Sequence, residues 1–167
     1  MLVYKKMLYL CHMKQRVYID TSVVGGYFDA EFANDTVPFF ESVKRGEMVI
    51  IVSDLLEKEL VKAPAHVRVL LDTIPSDYVE HVFATVESDD LAREYIKANV
   101  VGQTSFDDCR HIAIATLCKA DVLVSWNFKH IVNFDKIKGY NGINLLFRYS
   151  TIDIRSPKVM MKYENNS

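Results

Sequence analysis

Short apolar runs alternate with amphipathic stretches along the chain, and that alternation sets its plan. Residues 16–19 predict a first strand, which ends abruptly at Asp20. Thr21 and Ser22 can cap the helix that follows, and Gly25-Gly26 loosens its first turn. Residues 29–35 read as a polar connection. Pro38 suits the first turn of a helix over Val37 to Lys44, which stops at Gly46. Met48 to Val52 is a continuous apolar run, the pattern of a strand buried on both faces. Ser53 caps a helix to about Ala63, ahead of Pro64. His66 to Thr73 predicts another amphipathic helix, closed by Pro75-Ser76-Asp77. Val79 to Ala84 reads as a short strand or an extended link. Ser88-Asp89-Asp90 caps a helix through Asn99, and Gly102 breaks it. Gln103-Thr104-Ser105 leads into a long helix, Phe106 to Lys119. Asp121 to Ser125 is a further buried-strand run. Phe128 to Lys138 predicts a helix with Gly139 past its end; Ile143 to Phe147 and Ile152 to Ile154 follow, and a polar tail ends the chain.

Strands alternating with helices argue for an α/β fold: a three-layer α/β/α sandwich around a mainly parallel sheet. Crossover handedness then puts helices on both faces. No repeat, low-complexity linker or shift in composition marks a second domain. The expected organisation is an N-terminal extension over 1–15, one domain over 16–156 and a C-terminal tail over 157–167. Within the extension, Met13 is an alternative start to Met1. Its apolar run is too short for a signal peptide, is broken by His12, and has no small-residue cleavage site after it.

Composition narrows the function classes. The 167 residues are 50% hydrophobic and 25% charged, the balance of a folded soluble domain with material for one core. A net charge of -2 and a pI near 6.2 leave no basic footprint, which argues against tight nucleic-acid binding through net charge. A nucleic-acid substrate then needs a local basic rim or bound cations. Cys11, Cys109 and Cys118 match no zinc or redox spacing, and the last two fall in an apolar helical stretch, as core thiols in a reducing cytoplasm would. No stretch approaches membrane-spanning length.

In open α/β sheets ligands bind at the carboxyl ends of the strands, so acids just after strands carry the most interest. Asp20 directly follows the first strand; its structural alternative is a helix cap. In the helix after Ser53, Leu55, Leu56, Leu60 and Ala63 share one apolar arc, and Glu59 falls inside it. A carboxylate there is costly unless it is paired or holds a metal, so the alternative is a salt bridge at the core edge. Glu57 and Asp54 read as solvated or helix-dipole residues. Two acids, Asp107 and Asp108, open the helix from Phe106, and periodicity does not choose between them. Ser105 and Asp108 could equally form a capping box. His111, one turn on, reads first as a core histidine that could hydrogen-bond an acid. Asp121 starts its strand and so sits at the opposite edge of the sheet, whereas Ser125 and Asn127 reach the rim of Asp20 as helpers or as turn and cap residues. Carboxylates with neutral oxygen partners suit Mg²⁺ or Mn²⁺. Such ions serve phosphodiester hydrolysis by activating water and neutralising charge in the transition state. Lys58, Lys62, Arg110 and Lys129 could add positive charge on the rim. A phosphatase using Asp20 as nucleophile would need a second Asp two residues on, where Ser22 stands.

These segments resemble the PIN domain family. Val17-Tyr18-Ile19-Asp20-Thr21-Ser22 looks like its opening, Ser53 to Leu60 like its second segment with the acid at Glu59, and Asp108-Cys109-Arg110-His111-Ile112-Ala113-Ile114-Ala115 like its third, which selects Asp108. Val122-Leu123-Val124-Ser125-Trp126-Asn127-Phe128-Lys129-His130 looks like the fourth. The resemblance covers roughly residues 16–156 in the right order. It implies a PIN-like fold and a metal-dependent ribonuclease, with Asp20, Glu59 and Asp108 as ligands of Mg²⁺ or Mn²⁺ and with Asn127 and Ser125 assisting. It also implies a VapC-like toxin paired with an antitoxin, and a homodimer. The departure is Asn127, where many members carry Asp; a weakened module that binds RNA or a protein without cutting is the alternative.

Overall fold

The computed structural model describes residues 13–164. Its centre is a sheet of five parallel strands: β1 (Gln15–Ile19), β2 (Met48–Ser53), β3 (Val79–Val82), β4 (Val122–Val124) and β5 (Asp153–Arg155). Their spatial order is β3-β2-β1-β4-β5. All four pairings are parallel, with Val17 opposite both Ile50 and Val122 at the centre. Parallel strands need crossover connections, and the intervening helices supply them.

The two-residue period of the strands divides the core into two. Val17, Ile19, Ile50, Val52, Val122 and Val124 face one layer. That layer is built by α1 (Thr21–Gly26), α2 (Ala33–Lys44), α3 (Asp54–Leu60) and α8 (Pro157–Glu164). Tyr18, Ile51, Leu123 and Ile154 face the other layer, where α5 (Val86–Lys97), α6 (Phe106–Leu117) and α7 (Phe134–Leu146) pack. The remaining helix, α4 (Ala65–Arg68), is a single turn on the route from α3 to β3. The chain leaves β1 toward β2 on one side and returns to β4 on the other. The strand order therefore switches direction between β1 and β4, and the crevice at their carboxyl ends is where such sheets bind ligands.

Several elements differ from the sequence expectation. Helix α2 begins at Ala33, so Pro38 lies in its interior rather than its first turn. Thr36 holds the early turn: it is fully buried, donates to the Phe32 carbonyl at 2.8 Å and accepts from the Trp126 indole at 2.9 Å. The helix expected over 66–73 is only α4 and a 3₁₀ turn at Leu71–Thr73. Thr85, not Ser88, caps α5, because the two side chains form a reciprocal capping box. Of the helix expected over 128–138, only the part from Phe134 forms. Asn127 folds residues 127–132 into turns by accepting from the His130, Ile131 and Val132 amides. Asn133 then caps α7, which runs straight through Gly139 and takes in most of 143–147. Gly139 is a point of close approach: a Cβ there would lie 2.8 Å from Val100 Cγ1. The 79–84 stretch, open between strand and link, is strand β3 at the sheet edge up to Val82 and a link beyond it. The expected polar tail contains α8, whose Met160 is buried in the core.

Candidate active site

Asp20 stands at the switch point. The strand ends because Asp20 caps α1, its Oδ1 accepting from the Val23 amide at 3.3 Å. The cap role and the rim position coexist, since the same carboxylate also accepts from Ser22 Oγ at 2.5 Å and, through Oδ2, from Ser125 Oγ at 2.6 Å. Ser125, fully buried just past β4, in turn accepts from the Asn127 amide at 2.9 Å. Asn127 Nδ2 donates to Asp108 Oδ1 at 3.0 Å. Asp20 and Asp108 are thus joined through the two neutral residues expected to assist.

Glu59 closes the other side. It lies in the last turn of α3 and is half-buried. Its Oε2 accepts from Thr21 Oγ1, next to Asp20, and from His111 Nε2 at 3.2 Å, one turn along α6 from Asp108. Asp20, Ser125, Asn127 and Asp108 therefore form one chain of contacts at one rim of the sheet, and Glu59 joins that rim only through Thr21 and His111. The structure also separates the paired acids of α6. Asp107 is exposed and meets Arg110, while Asp108 turns to Asn127. Ser105 makes no capping bond, so the capping box does not form. Asp121 is at the far edge, accepting from the Arg16 amide at 2.7 Å.

The electrostatics are those of crowded acids. Asp20 is 4% exposed, and burial pushes its pKa above the usual carboxylate range; the nearby His111 imidazole and the bonds from Ser125, Ser22 and Val23 only offset this in part. Burial likewise raises Asp108, and the charges of Asp20 and Glu59 add to the rise against the opposing pull of His130 and His111. Burial works against Glu59 too, yet the His111 and Thr21 contacts and Arg110 hold it below its usual range. Among the described residues no lysine or arginine pairs with Asp20 or Asp108. Two expected rim cations are engaged elsewhere, Lys58 with Asp54 and Arg110 with Asp89.

Among the described residues, no group of three or more His, Cys, Asp or Glu side chains is gathered tightly enough to hold a metal ion. Each acid is turned to hydroxyl, amide or imidazole partners instead. The donor chemistry nonetheless fits a hard cation: three carboxylates with an amide and hydroxyl oxygens, one carboxylate deeply buried without a cationic partner. Thr21 and Ser22, expected as helix caps, instead support the site while Asp20 is the cap, and Tyr18 is a supporting residue that sequence reasoning did not single out; the two hydroxyls directly after Asp20 were the available signal. Cys109 is a buried core thiol, as expected, pushed up to about 12 by burial; Cys11 lies outside the described residues.

No protein-family model and no curated protein matches the chain. Solved structures do. The chain is similar to VapC20 of Mycobacterium tuberculosis, a sarcin-ricin loop cleaving toxin, at 16% identity and a TM-score of 0.52, covering 68% of this chain and 91% of that one. It is similar to VapBC2 of Rickettsia felis bound to a promoter DNA fragment, at 14% identity and a TM-score of 0.51, covering 85% and 98%. It is also similar to FitAcB of Neisseria gonorrhoeae, at 10% identity and a TM-score of 0.51, covering 84% and 97%. At these identities the likeness is one of fold, and it spans nearly the whole of each of those chains. With its all-parallel five-stranded sheet between two helical layers, this chain has the PIN-like fold of the VapC-type structures it is similar to.

Proposed function

We propose that this protein is a Mg²⁺- or Mn²⁺-dependent ribonuclease. The observation that carries the reading is Asp20: a carboxylate buried at the switch point of the sheet, held only by neutral donors, with Asp108 linked to it through Ser125 and Asn127 and Glu59 held against the adjoining Thr21. A buried charge without a counter-charge is costly, and a divalent cation at the rim would offset it. Asp20, Glu59 and Asp108 would hold the ion, which supplies a nucleophilic water and charge neutralisation at the phosphate. Ser125 and Ser22 fix the Asp20 carboxylate, and Asn127 orients Asp108. The likeness to a toxin that cleaves the sarcin-ricin loop supports RNA as the substrate class, and the likeness to VapBC2 and FitAcB supports a toxin role with an antitoxin partner. A homodimer acting in the cytoplasm belongs to the same reading; among the described residues no helix is long and apolar enough to cross a membrane.

The test is cleavage of single-stranded RNA with and without Mg²⁺ or Mn²⁺, for wild type and Asp20→Asn. Metal-dependent cleavage lost in the variant is expected, and equal cleavage by both sinks the proposal. A second reading, a module that binds RNA or a protein without cutting, is favoured by the Asn127–Asp108 hydrogen bond, which puts a neutral amide where a fourth carboxylate would draw metal. On that reading Asn127→Asp restores cleavage that the wild type lacks.

A further inference from the structure

Beneath the rim, a line of hydrogen bonds runs from the core to Glu59 and is not explained by packing alone. Ser53 Oγ caps α3 by accepting from the Leu56 amide at 3.2 Å. It lies 2.8 Å from the Tyr18 hydroxyl, which lies 2.8 Å from His111 Nδ1. His111 Nε2 then meets Glu59 Oε2 at 3.2 Å. Ser53 and Tyr18 are fully buried and His111 is 3% exposed, so none of these groups can turn to solvent for a partner.

Each hydroxyl has a single proton, and this fixes the direction of the line. Ser53 Oγ already accepts from Leu56 and can give its proton to Tyr18. Tyr18, kept as a neutral phenol by burial, gives its own to Nδ1. Nδ1 is then an acceptor, and the ring hydrogen sits on Nε2, aimed at Glu59. The reverse direction leaves the Ser53 proton without an acceptor among its hydrogen-bond partners and, in a neutral ring, sets a bare Nε2 lone pair against a carboxylate. Four elements supply the members: β1, β2, α3 and α6.

We infer that His111 is a positioning residue whose Nε2–H tautomer, set by Tyr18 and Ser53, holds the Glu59 carboxylate at the rim for a divalent cation. Hydrogen bonds behind a ligating carboxylate orient it and tune its affinity, and their loss costs about 10–100-fold in metal binding. The consequence for metal rests on the cation site of the proposed function, not on RNA cleavage; the tautomer rests on neither.

The experiment uses the full-length protein. In the metal-free state, ¹⁵N NMR of the histidine rings reports the tautomer: wild type is expected to show a protonated Nε2 and bare Nδ1 at His111. Tyr18→Phe, which keeps the ring and removes the proton donor, is expected to lose that tautomer's dominance. Calorimetric Mn²⁺ binding is then compared for His111→Gln, whose amide can still donate to Glu59, and His111→Leu, which cannot. Affinity within about threefold of wild type for the first and at least about tenfold weaker for the second is expected. A protonated Nδ1 in the wild type, or equal Mn²⁺ affinities for the two His111 variants in folded protein, overturns the inference. Wild type that binds Mn²⁺ with this pattern but cleaves no RNA leaves the inference standing and removes the ribonuclease reading. Wild type that binds no Mn²⁺ overturns the inference along with the metal site.

Discussion

Asp20→Asn is expected to stabilise the metal-free protein while abolishing its response to Mg²⁺. The wild-type carboxylate is 4% exposed and accepts from Ser22 at 2.5 Å, Ser125 at 2.6 Å and the Val23 amide at 3.3 Å. Hydrogen bonds to a charged group contribute roughly 1.5–3 kcal/mol each. Removing a carboxylate from water costs several kilocalories, and the raised pKa of Asp20, with burial its largest cause, says that desolvation wins. The sign follows from proton linkage. The folded state holds the Asp20 proton to higher pH than the unfolded chain, so stability falls as pH rises from the ordinary value of 3.8 toward the raised native one. Above that raised native value the full penalty is present. An amide of the same shape carries no charge to desolvate, and a gain of about 1–3 kcal/mol is expected. For a chain of this size each kilocalorie moves the thermal midpoint by about 2–4 °C. Urea unfolding in chelator measures it as a change of midpoint at constant slope. Glu59 has the opposite linkage, since its lowered pKa adds stability that is lost as pH falls, so the difference between variant and wild type isolates Asp20. Adding Mg²⁺ at a hundred times its dissociation constant should stabilise wild type by about 2.7 kcal/mol and leave the variant unchanged. A variant less stable than wild type in chelator at neutral pH refutes the desolvation argument, and equal stabilisation of both by Mg²⁺ removes Asp20 from the ligand set.

Other perturbations test separate features. Asn127→Asp replaces the donor to Asp108 with a second carboxylate; metal-free stability should fall by about 1–3 kcal/mol in urea, while Mn²⁺ affinity by calorimetry rises about tenfold or more. Gly139→Ala brings a Cβ to 2.8 Å from Val100 and should cost about 1–3 kcal/mol, whereas Gly142→Ala in the same helix meets open space and should gain about 0.5–1 kcal/mol; thermal unfolding of the pair separates packing from helix propensity. Ser125→Ala removes the donor to Asp20 and the acceptor of the Asn127 amide, so it should slow metal-dependent RNA cleavage about tenfold or more in a rate assay without unfolding the protein. Cys109, buried with its thiol pushed up to about 12, should resist alkylation in folded protein and react once the chain is unfolded, as read by mass spectrometry.

Much of this protein was legible from the chain alone, and the reason is periodicity. The stretches at residues 17–19, 48–52 and 122–124 are apolar without alternation because a central parallel strand is buried on both faces, and they lie in β1, β2 and β4. Their carboxyl ends located Asp20 and Ser125 at one rim, and the apolar arc of α3 turned Glu59 inward, both local consequences of strand and helix geometry. What the chain could not reveal was decided by contacts distant in sequence. Trp126 pins Thr36, which winds α2 from Ala33 and leaves Pro38 inside it. Val100 needs a glycine at 139, so the residue that looked like a stop is a crossing point. The turn at 127–132 follows from the Asn127 carbonyl and side chain, where the sequence had suggested a helix. Periodicity left Asp107 and Asp108 open and only the family resemblance picked Asp108; in the folded chain it is Asp108 that meets Asn127, 19 residues away. Most of all, the direction of the Ser53–Tyr18–His111–Glu59 line depends on β1, β2, α3 and α6 meeting in a space closed to water. Periodicity names the face of an element, but only the packed structure decides which polar groups share a buried proton.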